Sequence, residues 1–302
     1  MSSAGVPSTT LRAGSAGCRE GVSPSYFAIR STGENKFGMN NSPDHRAAIQ
    51  FQNVSYRLNT GYELLRNLNL EVQRGETLVL LGRSGSGKTT TLKLINRLLL
   101  QSNGEIYVDG RSIRDWDVIR LRRMIGYVIQ EVGLFPHFTV ARNIGVVPQI
   151  EGWPADRIQS RVQELLLLVG LELQLASRYP RELSGGQRQR VGVARALAAD
   201  PSFLLMDEPF GALDPITRAE LQREFLALQR RLGKTVVFVT HDLREALLLG
   251  TRITLMEAGQ LVVTLTPDEF MHSTDPMVAA YVDAFKTEIS PTSKGQNEPQ
   301  TK

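Results

Sequence analysis

Two glycine-rich stretches in this sequence each stand before a helix-like run. The first, GRSGSGKT at residues 82–89, ends in a lysine and a threonine; the second, LSGGQRQR at residues 183–190, has no lysine. The first fits the pattern G-x-x-x-x-G-K-[ST], between an apolar strand-like run and a helical one. In such a loop Gly82, Arg83, Ser84, Gly85, Ser86 and Gly87 can curl so that successive backbone N–H groups face one anion. Lys88 adds a charge for β- and γ-phosphates, the Thr89 hydroxyl can ligate Mg²⁺, and Thr90 continues the loop into the helix. The chemistry implied is nucleotide binding. The second stretch also looks like a phosphate-binding helix start, and why one chain needs two is not answered by either stretch alone.

Other polar residues fall at the ends of apolar runs. FLLMDE (203–208) reads as a buried strand that delivers Asp207 and Glu208 at its carboxyl end, where ligands bind in open α/β sheets. Asp207 is a candidate to hold Mg²⁺, and Glu208 a general base that polarises an attacking water. Taken alone, the pair would as readily cap a turn or pair with arginines. His241 follows the strand TVVFVT and is a candidate donor to a γ-phosphate. Gln130 ends MIGYVIQ in the same way, and its amide could touch Mg²⁺ or its water. Tyr56, in the first strand, is a candidate to stack on adenine; the alternative is an ordinary strand aromatic.

These residues need a scaffold, and the pattern is α/β. Strand-like runs at IQFQNVSYRL and LNLEV suggest an antiparallel portion at the start, and GEIYVDG is another strand between turns. TLVLLG, MIGYVIQ, SFLLMDEP and KTVVFVTHD are short apolar runs typical of buried parallel strands, alternating with helical segments. After Lys88 a helix with Leu92, Ile95, Leu98 and Leu99 on one face is expected. The span of about 135–185 turns helical, with Ile158, Val162, Leu165 and Leu166 at helical spacing behind Asp156. TRITLMEAGQLVVTL reads as a closing hairpin turning at Ala258-Gly259.

The chain has 302 residues, 41% hydrophobic and 22% charged, with a net charge of +4, ordinary for a folded soluble protein. Cys18 is the single cysteine, so no internal disulfide can form and a reducing compartment is expected. No run reaches the ~18 apolar residues of a membrane span; the richest, ELLLLVGLELQL, is interrupted by Gly170 and Glu172. Residues 1–46 are rich in small polar residues and are expected to be a disordered extension, with Met39 an alternative start. A single domain over 47–286 and a flexible tail over 287–302 complete the expected organisation.

Taken in order, Tyr56, GRSGSGKT, Gln130, LSGGQ, FLLMDE, ALD (212–214) and His241 resemble the ATP-binding cassette (ABC) ATPases, over roughly residues 49–285. The resemblance implies an α/β P-loop NTPase core with an N-terminal antiparallel β portion and a helical subdomain between Gln130 and the LSGGQ signature. It also resolves the question of the second glycine stretch. In that family two chains pack head-to-tail, and Ser184, Gly185, Gly186 and Gln187 of one close over the ATP on the other's phosphate loop. The second loop therefore needs no lysine. Asp214 would communicate between the two sites. ATP and Mg²⁺ are the implied cofactors.

The resemblance also bears on function. DNA-maintenance relatives carry coiled-coil insertions between phosphate loop and signature, whereas here Leu183 lies only 95 positions after Lys88. Ribosome-associated relatives carry two cassettes, and this chain has one. The segment EVGLFPHFTV after Gln130 would be a groove lip for a short permease helix. The wording of IGYVIQEVGLFPHFTV, RYPRELSGGQRQRVGVARALAADP and MDEPFGALDPITR resembles ATPase subunits of osmoprotectant importers for glycine betaine, choline or carnitine. An importer of another small polar solute, such as an amino acid or sulfonate, is the alternative. Implied partners are a second ATPase subunit, integral-membrane permeases and an extracytoplasmic binding protein, with no nucleic acid. The expected place is the cytoplasmic face of the plasma membrane, held through the permease. Two departures from relatives are expected to matter: the chain stops at Lys302 without paired regulatory domains, and Gly250-Thr251 replaces the usual alanine and aspartate.

Overall fold

The computed structural model describes residues 47–130 and 132–289. The expected extension with Cys18 and Met39, and the tail beyond 289, lie outside the described residues. The chain begins with β1 (Ile49–Arg57), β2 (Glu63–Val72), β3 (Thr77–Leu81), α1 (Lys88–Ile95), β4 (Asn103–Val108) and β5 (Arg111–Ser112). A short α2 (Val118–Arg123) leads into β6 (Ile125–Val128). Then come α3 (Val140–Ile150), α4 (Ala155–Leu168), two 3₁₀ turns and α5 (Gly185–Leu197). The remainder is β7 (Phe203–Asp207), α6 (Pro215–Leu232), β8 (Thr235–Thr240), α7 (Leu243–Leu249), β9 (Arg252–Glu257), β10 (Gln260–Leu265), α8 (Pro267–Met271) and α9 (Pro276–Ile289). The last helix runs past the expected boundary at 286.

Two sheets form, an antiparallel one in the order β2-β1-β4-β5 and a larger one in the order β10-β9-β3-β8-β7-β6. In the larger sheet β9, β3, β8, β7 and β6 are parallel and β10 is antiparallel at the edge. Every residue of β3, β7 and β8 is buried, as expected of parallel strands covered on both faces. Alternation along these strands splits the interior into two cores. Val79, Leu81, Val236 and Phe238 face a core shared with α3 to α7, α8 and α9. Leu78, Leu80, Val237 and Val239 face the other, filled by α1 and the antiparallel sheet. The result is the α/β architecture the sequence pattern implied.

Register fixes what the strand ends share. Leu81 pairs with Thr240, and Asp207 with Val239. Val128 pairs with Met206. The loop after β3, the acids at the end of β7, His241 after β8 and Gln130 after β6 therefore leave the sheet at one level on one edge. A one-residue slip would turn each of these side chains to the wrong face.

The helix after Lys88 departs from expectation. It ends at Ile95, with Asn96 as its cap and Arg97 in the left-handed region at φ 55°. Leu92 and Ile95 are buried, whereas Leu98 is 49% exposed and Leu99 only packs at the core margin. The left-handed residue turns the chain before the expected stripe can continue. The other patterns hold: Val162, Leu165 and Leu166 are buried on α4, with Asp156 in its first turn. Ala258 and Gly259 both have positive φ at the β9–β10 turn, as a two-residue hairpin of this type requires.

Gly250 and Thr251 have local packing roles. A side chain at Gly250 would meet the Ala246 carbonyl and Val79. The Thr251 hydroxyl accepts from the Thr77 amide (3.1 Å) and donates to the Thr77 carbonyl (3.0 Å), closing the start of β3.

Asn143, fully buried on α3, holds the loop that follows β6. Its Nδ2 donates to the carbonyls of Phe135 (3.1 Å), Phe138 (3.1 Å) and Thr139 (3.0 Å), and its Oδ1 accepts from the Phe135 amide at 2.8 Å. Asn143→Ala leaves these groups unpaired, so a stability loss of about 2–3 kcal/mol is expected. Urea unfolding reads it as a lower midpoint at unchanged slope; a midpoint equal to wild type would show that solvent replaces the amide.

Candidate functional site

Loops after four strands form most of one cavity of ≈ 610 Å³ at the carboxyl edge of the large sheet, within the range of ligand sites. Its wall includes Gly82, Arg83, Ser84, Gly85, Gly87, Lys88, Thr89 and Thr90 from the loop after β3, with Gln130, Glu208 and His241 opposite. Leu64 and Tyr281 complete it. Gly85 and Gly87 have φ of 83° and 102°, conformations that L side chains rarely adopt. Ser86 is buried behind the loop, and its carbonyl accepts from the Gly259 amide at 3.2 Å, so the β9–β10 turn braces the loop from outside.

Lys88 is 4% exposed and donates to the carbonyls of Gly82 (2.7 Å) and Arg83 (2.8 Å). Burial pushes its pKa down, opposed by the charges of Glu208, Asp207 and Glu257. No side chain caps the start of α1, so the first-turn N–H groups point at the cavity without an internal partner. Uncapped donors, a buried ammonium and left-handed glycines together make an anion site with room for a triphosphate.

The acids are held separately. Asp207 accepts from the Thr89 hydroxyl (2.8 Å) and the Tyr127 hydroxyl (3.3 Å). Burial raises its carboxyl above the usual range, partly offset by these two hydrogen bonds. The Tyr127 phenol is itself pushed well up, first by burial and then by Asp207. Thr89 and Asp207 thus offer adjoining hard oxygens, the donor chemistry Mg²⁺ takes, and Gln130 adds an amide at the same cavity.

Glu208 sits at φ 43°, uncommon for a residue with a side chain. Its amide donates to the Val239 carbonyl at 3.0 Å, which fixes the turn. One oxygen, Oε2, receives both neighbours: Gln130 Nε2 donates at 3.2 Å, and His241 Nδ1 lies at 3.4 Å. Strain of this kind concentrates where a side chain must be aimed. Two side chains from two other loops converge on one Glu208 oxygen beside the anion site.

The signature residues do not line this cavity. Ser184 caps α5: its hydroxyl accepts from the Gln187 amide at 3.2 Å, and Gln187 Oε1 accepts from the Ser184 amide at 2.9 Å. Ser184 and Gly185 are exposed. Gly186 is buried against Thr217, where a Cβ would clash. Asp214 caps α6 through the Thr217 amide at 3.1 Å, and these contacts pull its carboxyl below the usual range. The two helix starts therefore abut one another, outside the loop cavity.

Tyr56 lies in the strand ladder beside the site. It is not among the cavity-lining residues. It stands opposite Leu65 in the β1–β2 ladder, and both pack toward the core of the smaller sheet. Successive residues of β2 alternate faces, so Leu64, not Leu65, reaches the cavity. A residue paired with Leu65 shares its face. Sequence reading missed Leu64, Tyr127 and Tyr281. Tyr127 could have been found from its place three residues before Gln130; Tyr281 carries no local signal.

A second concavity of ≈ 330 Å³ lies behind Gln130, with Tyr127, Phe135, Val147, Ile150 and Arg195 in its wall. Phe135 and Ile150 are exposed. Arg195 donates to the carbonyls of Val132 and Gly133, both at 2.7 Å, so this lip is tied to α5. Among the described residues no helix is long and apolar enough to cross a membrane.

The chain matches the ABC transporter family model over residues 65–211. It is 52% identical over 225 residues to a choline transport ATP-binding protein of Bacillus subtilis, covering 74% of this chain and 59% of that one. It is 55% identical over 214 residues to a glycine betaine uptake system ATP-binding protein of Escherichia coli, covering 71% and 69%. The chain thus spans only about three fifths of the Bacillus relative's length. Among solved structures it resembles cbiO1 of Clostridium perfringens, described as part of an ABC transporter complex (TM-score 0.70, 28% identity, 80% of this chain and 95% of that one). It also resembles an ATP-binding cassette described as a dimeric post-hydrolysis state bound to ADP and Pi (TM-score 0.66, 34% identity, 72% and 98%).

Asp207's raised pKa is a stability statement. A carboxyl whose folded pKa lies above its unfolded one contributes stability that is full below the unfolded pKa and lost as pH rises through the folded pKa. Asp207→Asn removes the buried charge and keeps an acceptor for Thr89. The ligand-free variant is expected to unfold at higher urea than wild type at pH 8, with the difference closing toward pH 4. A variant less stable than wild type at pH 8 would contradict this.

Proposed function

Because the chain belongs to the ABC transporter family, we propose that it is the ATP-hydrolysing motor subunit of a membrane importer for quaternary-ammonium osmoprotectants. The observation that carries the hydrolase reading is the meeting of Gln130 and His241 on one oxygen of Glu208 beside an uncapped phosphate loop. The cargo reading rests on the choline and glycine betaine relatives.

In this reading ATP enters the ≈ 610 Å³ cavity. Lys88 leaves its two carbonyl partners for the β- and γ-phosphates, and the loop amides from residues 83–89 hold the remaining oxygens. Thr89, Gln130 and Asp207 would hold Mg²⁺, which when bound neutralises charge on the terminal phosphates. Glu208 takes a proton from a water as its oxygen attacks the γ-phosphorus. The bond from that phosphorus to the ADP oxygen breaks, and inorganic phosphate leaves. Gln130 orients Glu208, and His241 donates to the γ-phosphate.

The signature acts on a second copy. Ser184, Gly185, Gly186 and Gln187 lie outside this chain's own cavity, which suits a head-to-tail dimer with two ATP molecules between the chains, Asp214 lying beside that seam. The permease docks a short helix in the groove behind Gln130, whose exposed apolar lip supports this assignment. The subunit then sits on the cytoplasmic face of the membrane, and an extracytoplasmic binding protein delivers cargo.

Lys88→Ala should abolish ATP binding, measured by calorimetry, since the loop loses its buried cation. Glu208→Gln keeps a side chain of the same shape without the base. It should bind ATP, fail to hydrolyse it and run as an ATP-dependent dimer on gel filtration. A monomer at every ATP concentration would refute the composite site. For cargo, uptake of labelled glycine betaine and choline into cells is expected to stop with Glu208→Gln; uptake indifferent to that variant would remove the cargo assignment.

A further inference from the structure

Tyr281 belongs to no motif, lies far along the chain from the phosphate loop, and yet reaches it from α9. Its ring lines the loop cavity, and it also lines a neighbouring cavity of ≈ 360 Å³ with Arg83, Glu257 and the α9 residues Met277, Ala280 and Ala284. Arg83 and Tyr281 are the two residues common to both cavities. The Tyr281 hydroxyl is buried with no hydrogen-bond partner of normal geometry, and so is Glu257 Oε2 at the end of β9. Two unsatisfied buried oxygens flanking one exposed guanidinium are costly unless that guanidinium serves them. Burial and the Glu257 charge raise the phenol's pKa, while Arg83 pulls it down, which places all three groups in one electrostatic cluster.

Arg83 is also placed by the loop itself. Lys88 Nζ rests on the Gly82 and Arg83 carbonyls, and that lysine serves the β- and γ-phosphates. The Arg83 backbone therefore lies at the terminal-phosphate end of the cavity, and its side chain lines the wall there. A guanidinium there is a second side-chain cation for the triphosphate. It is exposed, so its direction depends on what holds it.

We propose that Tyr281 is a positioning residue for nucleotide binding: from α9, with Glu257, it orients the Arg83 guanidinium toward the terminal phosphates of ATP. This rests on the reading of the cavity as an ATP site. The carboxyl-terminal helix thereby takes part in setting the affinity of the phosphate loop and its preference for ATP over ADP.

The test uses the full chain and calorimetric titration of ATP and ADP with EDTA present, so that no turnover occurs. Tyr281→Phe keeps the ring and drops only the hydroxyl, so its urea midpoint should stay close to wild type. The ATP dissociation constant should rise roughly three- to tenfold, as for loss of one solvent-weakened contact to a charged group. ADP affinity should change by less than about twofold, because the affected cation faces the terminal phosphate. Arg83→Ala should show the same ATP-selective loss, and the double variant should be no weaker than Arg83→Ala alone. Three results would overturn the proposal: unchanged ATP affinity in Tyr281→Phe, an equal loss for ATP and ADP, or losses that add fully in the double variant. A wild-type chain that bound no ATP would instead remove the ATP-site reading itself.

Discussion

The Lys88 ammonium is buried with only two backbone carbonyls to hold it, and the functional edge of the sheet is built around that cost. A desolvated cation is unfavourable unless negative groups surround it. Asp207, Glu208 and Glu257 all act on it through space. Burial raises the Asp207 carboxyl, and the neighbouring Glu208 charge adds to it. A buried cation and a buried acid thus stand side by side at the loop. Two left-handed glycines, the Gly259 brace and the buried Ser86 hold its shape. A polyphosphate satisfies the ammonium and the uncapped α1 donors at once, so binding energy is available without rearranging the core.

Register makes this possible. β3, β7 and β8 are parallel, fully buried and aligned so that their ends stand level. Glu208 at positive φ is the visible strain of bringing a carboxylate round the end of β7 to meet Gln130 and His241. Each of those partners comes from a different strand end. Distance between them is set by sheet geometry rather than by any one loop, which is why a short sequence such as FLLMDE can aim a side chain so tightly.

The site was largely legible in the sequence because most of its residues lie within one or two positions of an apolar run, and the end of such a run is visible in one dimension. Asp207, Glu208, His241 and Gln130 all obey that rule, while Lys88 is marked by the glycine loop before it. Tyr56 is harder to place because it is inside a strand. There the face matters, and the face depended on its pairing with Leu65 and on irregular register in that ladder. Leu64 was hidden for the same reason. Tyr281 was unreadable because its contact with Arg83 comes from the packing of α9 on the sheet edge, and nothing near residue 281 records it. Leu98 misled in the opposite way: a left-handed Arg97 ended the helix where spacing alone continued it.

The same geometry suggests how the two concavities of the chain would communicate. Gln130 touches Glu208 at one end of the segment, and the segment's Val132 and Gly133 carbonyls are gripped by Arg195 on α5. Phe135, at the groove, is fixed through both its amide and its carbonyl by Asn143 on α3. The Gln130 link joins two side chains, whereas Arg195 and Asn143 hold backbone groups, so the segment is tied to the site, to α5 and to α3. α5 carries Ser184 at its start and Arg195 in its last turn. A partner's nucleotide engaging the helix start would therefore pull on the same rod that holds the groove lip. For such a contact to act as a switch, the rod must have two stable arrangements biased by ATP. Ser184, exposed and paired with Gln187, is the point on that rod nearest a partner's reach in the proposed dimer.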